Sequence, residues 1–330
     1  MRTIVWILST VILLAFGGQA FAQGQNPFED RSDTGEKLHV LPTPASIHSP
    51  RDTGSTFAPP SSTTQVYGAS YGSGLLLVNH GGGVIENAGF WAIYWNSSVA
   101  GATQTSINPA TGLKFGTLSA QIDAFVTSFG SNANYSSSST DDYSIVQQYG
   151  SAIASTVTNW GVDVASEPKK SSVSDSGIRN FLVSRFNAGK VQASANIIYG
   201  IYLPPGMKVT MSGGGSCSTF CGYHGDFSYG GQRIKYAVFP YLNCSACSLS
   251  GLTVGDMLTI VGSHEIREAV TDPGLNAWYD AAGYEADDKC AWHNLYRTGG
   301  GFVVQPEFSN GGGTQAGGTG PYPGPGCVVP

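Results

Sequence analysis

Charged residues are scarce in this sequence. Lys, Arg, Asp and Glu together make up 12% of the chain, which is about half the usual share. The formal net charge is −6, and no basic cluster is larger than the pair Lys169-Lys170. Nucleic-acid binding depends on clustered Lys and Arg side chains that neutralise phosphates. The composition therefore argues against nucleic acid as a partner.

Long apolar runs are also missing after the N-terminus. An apolar run from Ile4 to Phe16 follows Arg2 and precedes the small residues Ala20 and Ala22. This order is typical of a secretory signal peptide, and the run is too short to span a bilayer. We therefore predict that residues 1–22 are a signal peptide cleaved after Ala22, and that the secreted chain has no further membrane association.

Cysteine is absent from the first 216 residues, and six cysteines follow: Cys217, Cys221, Cys244, Cys247, Cys290 and Cys327. In an exported protein an even number of cysteines predicts disulfides, here three, with 15 possible connectivities. The Cys-x3-Cys and Cys-x2-Cys spacings are also compatible with a structural zinc site. Export favours disulfides, which would staple the C-terminal half.

The segment 23–74 is rich in Pro, Ser, Thr and Gly and has little hydrophobic periodicity. Such a composition buries too little apolar surface to order itself, so we predict a flexible leader. His39 and His48 lie in this segment and carry no functional signal there. Residues 75–330 are expected to form a single α+β domain.

The domain alternates irregularly between strand and helix patterns, which favours an α+β fold with a mixed sheet and packed helices. Apolar residues at helical spacing predict a helix over "LSAQIDAFVTSF", and Ser174 is the expected N-cap of another helix. Two strands are expected around the glycine turn at Gly81–Gly83. The stretches "ANIIYGIYLPPG" and "IKYAVFPYL" predict two further buried strands.

The segment "TIVGSHEIREAVTDP" lies within a predicted helix from Val254 to Val270. Thr253 is the expected N-cap, and Asp256 stands at the third helical position, as in a capping box. Pro273 would end the helix. The helix therefore has a sharply defined start and stop.

Three ionisable residues stand in the middle of this helix. His264 and Glu268 are four residues apart, so their side chains leave the same face about one turn apart. The spacing is that of H-E-x-x-H metallopeptidases, with Glu268 in place of the second histidine. Because a carboxylate is a competent zinc ligand, we predict that both residues bind Zn²⁺. Glu265 would be the general base that deprotonates a metal-bound water.

Catalytic zinc usually has three protein ligands and one open position. The downstream segment "YEADDKC" supplies the candidates Glu285 and Asp288, and a disulfide at Cys290 would hold it near the helix. Either residue could be the third ligand, the other orienting His264.

An alternative interpretation is an exposed, salt-bridged helix face, since Arg267 lies between the carboxylates. The helix is, however, apolar on more than one face, and uncompensated burial of ionisable groups would cost several kcal/mol. His224, in "CGYHG", could donate to a developing oxyanion, act as a further ligand, or order a disulfide-rich loop.

Several stretches together resemble the phosphate-induced protein 1 (EXORDIUM-like) family, in its bacterial branch: "NHGGGVIENAGFWAIYW", "IYGIYLPPG", "CGYHG", "IKYAVFP", "SHEIREAVTDPGLNAWYD" and "YEADDKCAW". The resemblance spans about Leu75 to Cys327 and places Glu285 and Asp288 on an E-x-x-D motif. It implies an extracellular protein of a family whose plant members have no established enzyme activity. The helix is also similar to that of zincin-type metallopeptidases.

Two functions follow as expectations. The first is a secreted zinc metallopeptidase, with an extended polypeptide substrate lying along the strand "IKYAVFPYL". The second is a non-catalytic extracellular or cell-wall interaction protein in which the metal ion is structural.

Overall fold

The computed structural model describes residues 26–47, 64–108, 112–130, 142–298, 300–312 and 322–330. The predicted signal peptide and the part of the leader at 48–63 lie outside these residues. The described chain has the expected α+β fold, with a mixed sheet, packed helices and a disulfide-linked C-terminal half.

The strands, in chain order, are β1 (Glu29–Arg31), β2 (Lys37–Pro42), β3 (Gln65–Tyr67), β4 (Val78–Asn79), β5 (Gly89–Tyr94), β6 (Thr103–Asn108), β7 (Leu113–Thr117), β8 (Thr158–Val164), β9 (Ser172–Ser174), β10 (Ile197–Tyr202), β11 (Lys208–Thr210), β12 (Phe220–Tyr229), β13 (Gln232–Phe239), β14 (Trp278–Tyr279), β15 (Tyr296–Arg297), β16 (Val303–Val304), β17 (Glu307–Ser309) and β18 (Gly326–Val329). The α-helices are α1 (Ser97–Ala100), α2 (Leu118–Ser128), α3 (Asp175–Asn187) and α4 (Val254–Thr271). Short 3₁₀ turns occur at Ser144–Gln148 and Asp288–Cys290.

The main sheet has seven strands in the order β1-β2-β12-β13-β10-β5-β8. Its β8, β5, β10 and β13 run parallel, whereas β12 is antiparallel to both β13 and β2. The strands β4 and β5, which flank the predicted glycine turn, do not pair with each other, because β4 pairs with β14. Both edges of β13 are occupied, by β12 and β10. The expectation that a substrate lies along β13 is therefore wrong.

The N-terminal segment is part of this sheet. The strands β1 and β2 pair with each other, and β2 pairs with β12 in a register that sets His39 opposite His224. Leu38, Val40 and Leu41 are buried in the main core. The prediction of a flexible leader over 23–74 is therefore wrong for these strands. A short apolar run supplies enough buried surface once a sheet edge is available to pair with it.

The helix predicted around His264 is α4, and its caps are as expected. Thr253 accepts from the backbone N–H of Asp256, whose side chain accepts from the N–H of Thr253 in return. The helix ends at Thr271, two residues before Pro273. It packs on β12 and β13 of the sheet, on α2, and on β16 from the C-terminal region. Because it is covered on all sides, every residue from Gly255 to Thr271 is buried.

All six cysteines form disulfides: Cys217–Cys244, Cys221–Cys247 and Cys290–Cys327. A thiolate zinc site at these spacings is therefore excluded, since no free cysteine remains. The first two bridges tie the start of β12 to the loop before α4. The third ties the 3₁₀ turn that carries Asp288 to β18.

Candidate metal centre

Seven histidine and carboxylate side chains meet between α4, β2, β12 and the loop before Cys290. They are His39, His224, His264, Glu265, Glu268, Glu285 and Asp288, and none is more than 2% exposed. Each histidine forms a group with two carboxylates whose ligand atoms lie within 4.8 Å of one another, and Glu268 belongs to all three groups. Six of the seven residues were predicted from the sequence for metal binding or catalysis, and the exception is His39.

The pair predicted from the helical spacing lies at the middle of the cluster. His264 Nε2 and Glu268 Oε2 are 3.0 Å apart, yet neither atom has a hydrogen-bond partner among the described residues. Two fully buried ligand atoms at this separation are close enough to bind one ion. The alternative of a solvated helix face is wrong, because both side chains are fully buried.

The two candidates for the third ligand occupy different positions. Asp288 Oδ1 lies 3.8 Å from His264 Nε2, and the backbone N–H of Asp288 donates to Glu268 Oε1 at 3.0 Å. Asp288 Oδ2 accepts from the backbone N–H of Glu285 at 2.8 Å. The Glu285 side chain instead faces His224 and His39. Asp288 is thus the loop carboxylate on the His264 side of the cluster.

The other ring nitrogen of His264 is contacted by a residue that the sequence did not indicate. Gln305 Nε2 lies 3.1 Å from His264 Nδ1, and it also bonds the carbonyl oxygen of Asp287 at 2.9 Å and Asp287 Oδ1 at 3.0 Å. An amide nitrogen donates, so Nδ1 accepts in this contact, whereas a metal-binding imidazole donates its second N–H to an oxygen. For His264 to bind a metal through Nε2, the unpartnered Oε1 of Gln305 would have to face Nδ1 instead. We predicted Glu285 or Asp288 as the residue that orients His264, but the residue that contacts Nδ1 is Gln305.

His224 and Glu265 form a second pair. His224 Nδ1 lies 3.0 Å from Glu265 Oε2, which leaves Glu265 Oε1 and His224 Nε2 without hydrogen-bond partners. His224 Nε2 faces Glu285 Oε2, also unpartnered, at 3.9 Å. Gly222 lies beside this pair, and a Cβ atom there would come within 3.1 Å of Glu265 Oε1 and 2.3 Å of Val261 Cγ1. The glycine therefore lets β12 approach α4 closely.

His39 is the residue of this cluster that the sequence did not indicate. Its Nδ1 lies 3.0 Å from Glu285 Oε1 and its Nε2 lies 2.9 Å from Asp288 Oδ2. Its ring stacks on that of His224, with centroids 5.4 Å apart. The apolar run around His39 in "KLHVLP" was the available signal, since short apolar runs are compatible with buried strands.

Burial controls the protonation of the carboxylates. It raises the pKa of Glu265 well above its usual range, and the charge of Glu268 adds to the shift. Burial also raises the pKa of Glu268, and the charge of Asp288 adds to that shift. Burial raises the pKa of Glu285 as well, although His39 opposes the shift. Without a cation nearby, these carboxyl groups therefore favour the neutral form.

The pKa values of the three histidines are shifted in different directions. Burial lowers the pKa of His264 to about 4 although Asp287 and Asp288 oppose the shift. Burial also lowers the pKa of His224. Burial acts in the same direction on His39, but the charges of Asp288, Glu285 and Glu268 outweigh it and raise that pKa. His264 and His224 are thus neutral at pH 7, the form in which imidazole binds metals.

The neighbouring basic residues are already paired elsewhere. Arg267 bonds the carboxylate of Asp287 and the carbonyl oxygens of Asp142 and Gln305. Lys289 pairs with Asp280 at 2.6 Å. In the described part of the chain, no lysine or arginine lies within 4.0 Å of the carboxylates of Glu265, Glu268, Glu285 and Asp288. Their buried charge has only histidines to balance it.

The donor set fits a divalent transition metal. Imidazole nitrogens and carboxylate oxygens are zinc ligands at about 2.0–2.2 Å. Three imidazoles make the cluster a poor match for calcium, which takes oxygen ligands. Five buried donor atoms lack hydrogen-bond partners: His224 Nε2, His264 Nε2, Glu265 Oε1, Glu268 Oε2 and Glu285 Oε2. Unpartnered buried polar atoms are costly, and a bound cation would remove this cost.

The N-terminal strands cover the cluster. Phe28 stacks on His39 with ring centroids 6.2 Å apart and packs edge-on against Tyr284 at 5.7 Å. Trp292 Nε1 donates to the carbonyl oxygen of Pro42 at 2.9 Å and so attaches the end of β2 to the loop after Cys290. The cluster is closed to solvent in this conformation.

Comparisons with protein-family models, with curated proteins and with solved structures find no match to this chain. Among the described helices, none combines the length and apolarity needed to cross a bilayer. The resemblance to the phosphate-induced protein 1 family stays a prediction from the sequence.

Proposed function

We propose that this protein is a secreted, metal-dependent hydrolase that acts on polypeptides. His264, Glu268 and Asp288 would hold a zinc ion, and Glu265 would be the general base. The observation that supports this most directly is the convergence of unpartnered, fully buried ligand atoms on His264 and Glu268, beside the unpartnered Oε1 of Glu265.

Zinc, when bound, polarises a carbonyl group and lowers the pKa of water to near neutrality. Glu265 would accept the proton, since its unpartnered Oε1 is buried beside the pair His264 and Glu268. His224 would act as a positioning residue, because its Nδ1 holds Glu265 Oε2 at 3.0 Å and leaves Oε1 free. Gln305 would orient the ring of His264 by presenting its unpartnered Oε1 to the N–H at Nδ1.

Secretion is proposed on two grounds. Three disulfides are typical of proteins that fold in an oxidising compartment. The first 22 residues have the order of a signal peptide. The resemblance to an extracellular family is consistent with the same location.

A second function is favoured by one observation, the complete burial of the cluster. Structural zinc sites are closed, whereas catalytic sites keep one coordination position open. In this alternative the ion ties β2 and the loop before Cys290 to α4, and the protein is a non-catalytic extracellular or cell-wall interaction protein.

The two functions are separated by metal analysis and an activity assay on the full secreted chain. We compare bound zinc and cleavage of an unstructured protein in wild type, Glu265→Gln and Glu86→Gln. The control Glu86→Gln makes the same change at an exposed position. We expect zinc in all three proteins and cleavage in all except Glu265→Gln.

Metal in all three proteins without any cleavage would favour the structural ion. Cleavage by Glu265→Gln at the wild-type rate would refute the proposed role of Glu265. Absence of any retained metal would refute both functions.

A further inference from the structure

The cluster offers more ligands than one zinc ion uses. A tetrahedral ion takes four ligands, whereas seven buried histidine and carboxylate side chains meet here and five donor atoms lack partners. At least one unpartnered buried donor would therefore remain beside a single four-coordinate ion. Native structures keep such atoms rare.

Two of the three histidines share the pattern of metal ligands. His264 and His224 each have a contact at Nδ1, from Gln305 and Glu265 respectively, and a bare Nε2. A metal-binding imidazole typically donates its other N–H to an oxygen, often of a carboxylate. Glu265 accepts in this way from His224, and Gln305 would do so for His264 through its unpartnered Oε1. His39 differs, because both of its nitrogens face carboxylates.

Each of these two histidines has its own unpartnered carboxylate oxygen. His264 Nε2 lies 3.0 Å from Glu268 Oε2, and His224 Nε2 lies 3.9 Å from Glu285 Oε2. His264 groups with Glu265 and Glu268, whereas His224 groups with Glu268 and Glu285. The bare donors thus fall into two sets that share Glu268.

Buried negative charge also favours more than one cation. Glu265, Glu268, Glu285 and Asp288 carry four negative charges when ionised, and the described lysines and arginines do not pair with them. His39 faces Glu285 and Asp288 with its two nitrogens and offsets one of these charges when both carry protons. One divalent cation would then still leave one negative charge in a buried site, which a second cation would neutralise. Buried charge without compensation is costly.

We propose that the centre holds two divalent transition-metal ions, bridged by Glu268. His264 and Asp288 complete the first position, and His224 and Glu285 complete the second. His39 contacts Glu285 with one nitrogen and Asp288 with the other, so it positions one carboxylate of each ion. This inference shares its first ion with the proposed function, whereas the second ion is independent of catalysis.

The test is the number of metal ions per chain. The full secreted chain is stripped with a chelator and titrated with Co²⁺, and its absorbance is followed; retained Co²⁺ and Zn²⁺ are then counted by elemental mass spectrometry after gel filtration. We expect two ions per chain in the wild type and in Glu86→Gln. The double variant His224→Asn/Glu285→Gln should keep one ion, and Glu268→Gln should lose the tight binding of both.

The Co²⁺ titration of the wild type needs no variant, so a misfolded variant does not leave the inference untested. An absorbance break at one equivalent would overturn it, and would point to a single ion shared by His264 and His224. Retention of two ions by the double variant would also overturn it, since the second ion would bind elsewhere. Two bound ions without hydrolysis would refute the proposed function but not the two-ion centre. Hydrolysis with one bound ion would refute the two-ion centre but not the proposed function.

Discussion

Replacement of Arg267 by Met should strongly destabilise the fold, because this guanidinium compensates charge directly behind the metal centre. Arg267 is 1% exposed and bonds the carboxylate of Asp287, which is fully buried. It also donates to the carbonyl oxygens of Asp142 at 2.8 Å and Gln305 at 2.9 Å. Methionine fills similar space but leaves the carboxylate and two carbonyl oxygens without these donors.

Removing one partner of a buried ion pair costs about 3–5 kcal/mol. We expect a loss of this size in the free energy of unfolding, measured by guanidinium titration at pH 7 with the disulfides intact. The double variant Arg267→Met/Asp287→Asn should be less destabilised than Arg267→Met by about 1–3 kcal/mol, because it removes the stranded charge. The control is Arg233→Met, an exposed arginine paired with Asp226, whose loss should be about 0.2–1 kcal/mol.

The loss should also depend on pH. Burial raises the pKa of Asp287 above 3.8, and Arg267 opposes that shift. In Arg267→Met the folded-state pKa rises further, so the folded variant binds a proton that the unfolded chain releases. Stability from that proton is present at low pH and is lost as pH rises through the folded-state pKa. The gap between wild type and variant should therefore be smaller at pH 5 than at pH 7.

A loss for Arg267→Met no larger than that for Arg233→Met would refute this account. A gap that grows as pH falls would refute the assignment of the cost to Asp287.

Two further predictions concern the elements around the centre. The variant Cys290→Ser/Cys327→Ser removes a disulfide between residues 37 positions apart and should lower the free energy of unfolding by about 4 kcal/mol on the chain-entropy model. It should also weaken Co²⁺ binding, because the loop that carries Asp288 is released. Unchanged Co²⁺ binding would contradict the proposed role of this disulfide. Hydrogen bonds from Ser32 and Thr34, and then Arg179, lower the pKa of Glu36 from 4.5 to about 2. Glu36 thus contributes stability that is present above about pH 4.5 and lost as pH falls toward 2. The difference in melting temperature between wild type and Glu36→Gln should be constant above pH 5 and shrink below it, and a difference that persists at pH 2 would contradict this assignment.

The helix at the centre was predictable because its determinants are local. The capping residues Thr253 and Asp256 and the breaker Pro273 lie in one short stretch, and the helical period alone brings His264 and Glu268 to one face. The even number of cysteines likewise predicted bridges without their pairing. Nothing comparable connects His39 to this helix, because its place depends on which strand β2 pairs with.

The choice between Glu285 and Asp288 was also beyond the sequence. Both precede Cys290 within a few residues, and only the turn of the loop directs Asp288 toward His264 and Glu285 toward His224. The position of β13 in the sheet was also beyond the sequence, because its apolar pattern suits an edge strand or a central one. Its two neighbours were decided by strand order, which is a long-range property.

Local sequence thus determined the helix α4, its caps, the histidine and glutamates on one face, and the presence of disulfides, since backbone periodicity and covalent chemistry act over a few residues. Tertiary structure decided the rest: the sheet that carries His39 beside His224, the burial of four carboxylates that no described lysine or arginine pairs with, and Gln305 behind His264. These features depend on contacts between residues far apart in the chain, and such contacts form only in the folded protein.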